Sequence, residues 1–144
     1  MSWHAAAVHL PLALGVVWPL FDLLGLWLRR QDVSRAAIGL LGLALLGSFV
    51  ATATGQGEYD AAVRAGVPAD RLDRHASLAS TVPWMFMALT GLRLWLPTRW
   101  SQGGAWVAMV LGLAGSGLLL WVGHTGGELV YVHGVGVAHP TGSP

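Results

Sequence analysis

The stretch AWVAMVLGLAGSGLLLWVGH, residues 105–124, carries no charged residue and closes on a histidine. An apolar run of this length is what an α-helix needs to cross a hydrocarbon core of ~30 Å, because each residue advances ~1.5 Å. Three comparable runs precede it, His4–Leu28, Val33–Thr54 and His75–Leu96. The chain therefore reads as an all-α membrane protein, a four-helix transmembrane bundle forming a single domain over residues 1–144. Tight links, Arg29–Asp32 and Pro97–Gly104, join the first run to the second and the third to the fourth. Between these two pairs lies a polar stretch, Gly55–Arg74, which reads as an extramembrane loop with a short amphipathic helix over Glu58–Ala65. The first run is too long for a signal peptide, and its arginines follow the apolar stretch instead of leading it.

Composition agrees with this class. Of 144 residues, 54% are hydrophobic and only 10% charged, against about 25% charged in soluble domains. No cysteine is present, which excludes disulfides, thiolate metal sites, iron–sulfur clusters and covalent c-type haem attachment. A formal charge of +1 without a basic cluster argues against a nucleic-acid partner. No phosphate loop or nucleophile–base arrangement occurs, and the glycines of Gly134–Ala138 neither follow a strand nor open a helix.

Arginine sets the orientation, since the chain has no lysine. Arg29, Arg30, Arg35 and Arg99 flank one face with only Asp32 beside them. Arg64, Arg71 and Arg74 sit among four acids in the longer loop. The short, uncompensated links are expected on the cytoplasmic side, which puts both termini and the long loop at the periplasm or outside. The eight tryptophans lie mostly near span ends, as an interfacial aromatic belt would.

The histidines then collect at one membrane face. His4 and His9 open the first helix there, His75 opens the third, His124 closes the fourth, and His133 and His139 follow in the tail. Imidazole is the commonest neutral metal ligand and the usual axial ligand of haem iron. His9 lies about 7 Å below the start of its helix, inside the apolar region, where an ionisable group is costly and tends to serve a function. His4 and His9 are about 140° apart around that helix and do not share a face. His4, His133 and His139 read more readily as interfacial polar groups. Gly47, Ala51 and Gly55 form a small-residue stripe on the second helix, and Ala108, Gly112 and Ser116 form one on the fourth. Such stripes pack helices in membranes and could also admit a flat macrocycle. Asp22 and Arg93 lie at nearly matched depth in the first and third helices, which predicts an ion pair fixing helix register.

Several motifs resemble one family. HAAAVHLPLAL at residues 4–14, DLLGL at Asp22–Leu26, ATGQGE at Ala53–Glu58, a histidine opening the third span and GGELVYVHGVGV at Gly126–Val137 are together similar to the bacterial membrane proteins of the domain-of-unknown-function 2231 family. The resemblance covers nearly the whole chain, and its most specific part is the terminal motif. Members typically have proline after the first histidine and Phe before the later proline, where this chain has Ala5 and Leu10. That departure weakens a role for His4 more than for His9. The positions the resemblance carries over are His9, Glu58, His75, Gly126, Gly127, Glu128, Tyr131 and His133. Members are sometimes joined to Rieske-type redox modules, which implies electron transfer, and the family implies a bacterial inner membrane.

The expectation drawn from these readings is a membrane cytochrome of b type, an electron carrier more than a stand-alone enzyme. His9 and His75 are the expected haem ligands, with His124 as the substitute. Gln56, Glu58 and Tyr131 are expected to contact the propionates or orient a ligand imidazole, and Gly47, Ala51 and Gly55 to face the macrocycle. Its partners would be the lipid bilayer, a quinol and a periplasmic electron carrier, or a larger membrane complex; a homo-oligomer is also compatible. Two alternatives stand beside it: a non-redox accessory subunit of a respiratory or photosynthetic complex, and a metal-handling protein using His9, His75, His124 and Glu58 for Cu, Zn or Fe.

Overall fold

The computed structural model describes residues 3–132, 134 and 135. His133 and His139 lie outside the described residues, as do the side chains of Arg99 and Trp100. Helix α1 spans Trp3–Trp27, α2 spans Gln31–Arg64 and α3 spans Ala69–Tyr131. A straight helix of 63 residues would extend ~95 Å at 1.5 Å per residue. Yet His75 and Thr125 within α3 are hydrogen-bonded at 3.0 Å, so α3 doubles back on itself. The reversal falls between Pro97 and Gly104. A Cβ at Gly104 would stand 2.3 Å from the Leu96 carbonyl oxygen, so only glycine lets the returning limb pass this close. The chain is thus all-α, with α1, α2 and the two limbs of α3 forming a four-helix bundle among the described residues.

Trp3–Trp27, Gln31–Arg64 and Gln102–Tyr131 are long and apolar enough to cross a membrane. The first limb of α3 is more polar, with Ser77, Ser80, Thr81, Thr90 and Arg93. Three of its hydroxyls donate to carbonyls one turn back: Ser80 to Ser77, Thr81 to Leu78 and Thr90 to Phe86. Those bonds keep the hydroxyls satisfied without water, and apolar surroundings tolerate them.

The helices also run further than the apolar runs. α2 continues through Gly55 to Arg64, so much of the expected loop is helix. At ~1.5 Å per residue its 34 residues exceed the ~30 Å core by several turns. Polar composition ends an apolar span without ending a helix, because residues such as Gln, Glu and Arg are good helix formers. The true turn is Ala65–Pro68, where Gly66 adopts φ +87° and Val67 N–H closes back on the Ala62 carbonyl at 3.1 Å. A small cluster of Ala62, Leu72 and Leu129, flanked by Tyr59, Val67 and Val135, packs the projecting ends together. Tyr59 also donates to Asp73 Oδ1 at 2.7 Å across this turn.

The interior is built from Trp18, Leu41, Ala44, Val82, Phe86, Leu89, Leu119 and Val122. Leu46, Val50, Trp84, Leu94, Leu120 and Trp121 are exposed instead. A soluble monomer rarely presents so much contiguous apolar surface, and a bilayer accepts it. The two small-residue stripes turn towards α1. On α2, Gly47 receives Pro11 and Gly55 receives His4; on the second limb of α3, Gly112 receives the Trp18 ring and Ser116 donates to the Gly15 carbonyl at 2.8 Å. Helix packing fills the faces on which a macrocycle was expected to lie.

One relation organises the bundle. His4 pairs with Thr54, and His75 pairs with Thr125, each across 50 residues. Gly55 and Gly126 receive those same two imidazoles. Every residue of the second set stands 71 positions after its counterpart in the first, which is also the interval between Asp22 and Arg93. The chain is therefore two similar helical hairpins in tandem. Gly15 and Phe86, again at that interval, meet across the bundle, as Asp22 and Arg93 do. α1 and the first limb of α3 thus run side by side in the same direction.

Candidate functional site

His4 and His75 lie in the first two turns of equivalent helices, towards the same end of the bundle. Both are partly buried. The His4 Nδ1 lies 3.0 Å from the Ala51 carbonyl oxygen and 3.2 Å from Thr54 Oγ1. A carbonyl only accepts, so His4 Nδ1 carries the proton and donates. The His75 Nδ1 lies 3.0 Å from Thr125 Oγ1. That hydroxyl has one proton, which it gives to the Val122 carbonyl at 2.8 Å, so it can only accept from His75. The same reasoning holds for Thr54, whose hydroxyl donates to the Val50 and Ala51 carbonyls at 3.0 Å.

Both imidazoles therefore carry a proton on Nδ1, and in the neutral form of each ring the lone pair lies on Nε2. A nitrogen so presented can take a proton or a metal, and an acceptor on the opposite nitrogen fixes the ring and raises its basicity. Glycine makes the niches possible. A Cβ at Gly126 would stand 2.9 Å from His75 Cε1, and one at Gly55 would stand 3.1 Å from His4 Cε1. Beside His75 opens a cavity of about 310 Å³, lined also by Asp70, Arg71, Arg74, Thr125 and Glu128. It gives this histidine an approach from the extramembrane side.

The other expected site residues are placed differently. His9 is exposed, with its Nδ1 turned to the Ala5 carbonyl of its own helix. His124 is exposed and leans on Trp121, ring centres 5.9 Å apart. Gln56 donates to Asp60 Oδ1 at 3.3 Å, Glu58 is half-buried, and Tyr131 is exposed. Of the expected ligands only His75 enters a built niche, and its counterpart is His4. Among the described residues no three His, Asp or Glu side chains come together as a metal cluster.

At the opposite end, a second polar centre joins three helices. Arg93 Nε donates to Asp22 Oδ2 at 2.6 Å and Nη2 to Oδ1 at 2.9 Å. Ser34 completes it, giving its proton to Asp22 Oδ1 at 2.6 Å and accepting from Arg93 Nη2. Asp22 is fully buried and Arg93 is 7% exposed. The expected ion pair is present, and Ser34 is the member the sequence reading missed. Gly25 marks it: a Cβ there would stand 2.7 Å from the Ser34 amide nitrogen, so the first link brings α2 against α1 at this point.

Fold and sites together define a small helical membrane protein made of two hairpins, with paired histidines at one end and a buried ion pair towards the other. The chain matches the model of the family described as predicted membrane protein DUF2231 over residues 1–139, and it belongs to that family. No curated protein and no solved structure matches it.

Proposed function

We propose that the protein is a membrane electron carrier that binds a b-type haem through His4 and His75. The observation that carries this reading is the matched anchoring of the two histidines, each donating from Nδ1 to an acceptor on the other helix of its own hairpin. Two neutral imidazoles are the donor set of a bis-histidine haem, and the absence of cysteine is compatible with a non-covalent group. His4 takes the place first assigned to His9, because His9 turns to its own helix and His4 does not. When bound, the haem would supply one-electron chemistry.

The chain's own residues do the rest. The Ala51 carbonyl, Thr54 and Thr125 hold the imidazoles in orientation, and Gly55 and Gly126 leave room for them. Gln56, Glu58 and Tyr131 belong to the same end and are suited to propionate contacts, with Arg74 at the neighbouring cavity supplying positive charge. The arginine-bearing short links favour a cytoplasmic position for the opposite end, which puts the histidines at the periplasmic face of a bacterial inner membrane. Electrons would pass there between a membrane quinol and a periplasmic carrier or partner subunit. The dithionite-reduced absorption spectrum of the purified protein tests the reading, and a colourless preparation from haem-replete cells would favour the accessory-subunit alternative.

A further inference from the structure

The end of the bundle away from the histidines holds a cleft of about 380 Å³ between the first link and the reversal of α3. Arg29, Arg30, Arg35 and Arg93 all line it. Two of these charges are answered: Arg30 pairs with Asp32 and Arg93 with Asp22. Among the described residues Arg29 and Arg35 have no acidic partner, and Arg35 reaches only the Gln31 side chain at 3.5 Å. The cleft therefore carries about two unneutralised positive charges. Leu26, Ile38, Pro97 and Ala105 give it an apolar wall, and Gln31, Ser34 and Gln102 complete the lining.

The backbone adds an independent observation. Arg29 has φ +54° at the end of α1, where Arg30 N–H closes on the Gly25 carbonyl at 2.8 Å. This is the left-handed position that helix ends usually give to glycine, as Gly66 does after α2 with φ +87°. A non-glycine residue held there against its preference points to a role for its side chain. Charge bias for orientation explains arginines near this face, but not an arginine placed at a strained backbone position beside a cleft.

We infer that this cleft binds the phosphate headgroup of an anionic phospholipid. Arg29 and Arg35 take the phosphodiester oxygens. The apolar wall takes the start of an acyl chain. Guanidinium offers paired donors that match phosphate geometry, and basic pockets between membrane helices are a recurrent place for such headgroups. A free phosphate shares the headgroup chemistry but would gain nothing from Leu26, Ile38 and Ala105.

The test uses the delipidated full chain in neutral detergent, with thermal unfolding followed against added short-chain phosphatidylglycerol, phosphatidylcholine or inorganic phosphate. Phosphatidylglycerol should raise the melting temperature saturably, and the other two should not at the same concentration. Arg35→Gln should weaken phosphatidylglycerol binding at least tenfold. Arg29→Gly should weaken it similarly while leaving the lipid-free melting temperature equal or higher, since glycine relieves the left-handed position. Unchanged binding in both variants would overturn the proposal. So would equal stabilisation by inorganic phosphate or by phosphatidylcholine.

Discussion

Asp22 and Arg93 occupy equivalent positions in the two hairpins, 71 residues apart, and form the buried ion pair that joins them. The same interval relates His4 to His75 near the opposite end of these helices. An acid and a base at corresponding places make the two halves complementary where identical residues would repel. Ser34 turns the pair into a three-helix junction, because its hydroxyl bonds both partners.

This junction predicts strong coupling. Removing one partner leaves an uncompensated buried charge, which costs roughly 3–5 kcal/mol. Arg93→Met alone should therefore lower the melting temperature sharply. Asp22→Leu combined with Arg93→Met should recover much of the loss, giving a markedly sub-additive double-mutant cycle. Additive effects in detergent-solubilised protein would contradict the junction.

The glycine niches predict a graded series of alanine substitutions. Gly57 has nothing within 4 Å of a prospective Cβ, so Gly57→Ala should be neutral or stabilise by up to about 1 kcal/mol through helix propensity. Gly126→Ala would bring a methyl 2.9 Å from the His75 ring and should destabilise by about 1–3 kcal/mol as an overpacked contact. Gly55→Ala, with its closest atom at 3.1 Å, should fall between them. Thermal unfolding of the three variants gives the ranking directly.

Much of the fold was legible because the bilayer imposes long apolar runs, and the four-helix bundle follows from them. The ion pair was legible too, since two charges at matched depth in apolar helices have few other partners. A helix over Glu58–Ala65 was legible, but its continuity with the second span as one helix ending at Arg64 was not, because hydropathy reports where lipid ends and helix propensity continues beyond it. The equivalence of His4 with His75 was not read either, for a different reason. Depth along the helix favoured His9, whereas burial of an imidazole depends on the facing residue, and Gly55 lies opposite His4. The repeat itself carries a readable signal, TGQGE at Thr54–Glu58 and TGGE at Thr125–Glu128, each 50 residues after a histidine followed by alanine. The cleft at the arginine end needed Arg29's backbone angle, which no local pattern announces.

Orientation is testable at exposed positions. A cysteine replacing Gly57, in the projecting part of α2, should react with an impermeant thiol reagent on intact cells. One replacing Gln102, at the opposite end and exposed, should react only after the membrane is opened. The reverse pattern would place the histidine niches at the cytoplasmic face.

The most direct measurement is the reduced absorption spectrum of the purified protein and of its histidine variants. The account predicts a sharp low-spin α-band from the wild-type chain, lost or converted to a high-spin form in both His4→Ala and His75→Ala. Thr125→Val, which removes the acceptor at His75 Nδ1 but keeps the ring, should retain the pigment with a shifted midpoint potential. His9→Ala and His124→Ala should leave the band unchanged. A pigment that survives loss of both His4 and His75, or a chain that never takes up haem when haem is ample, would contradict the claim.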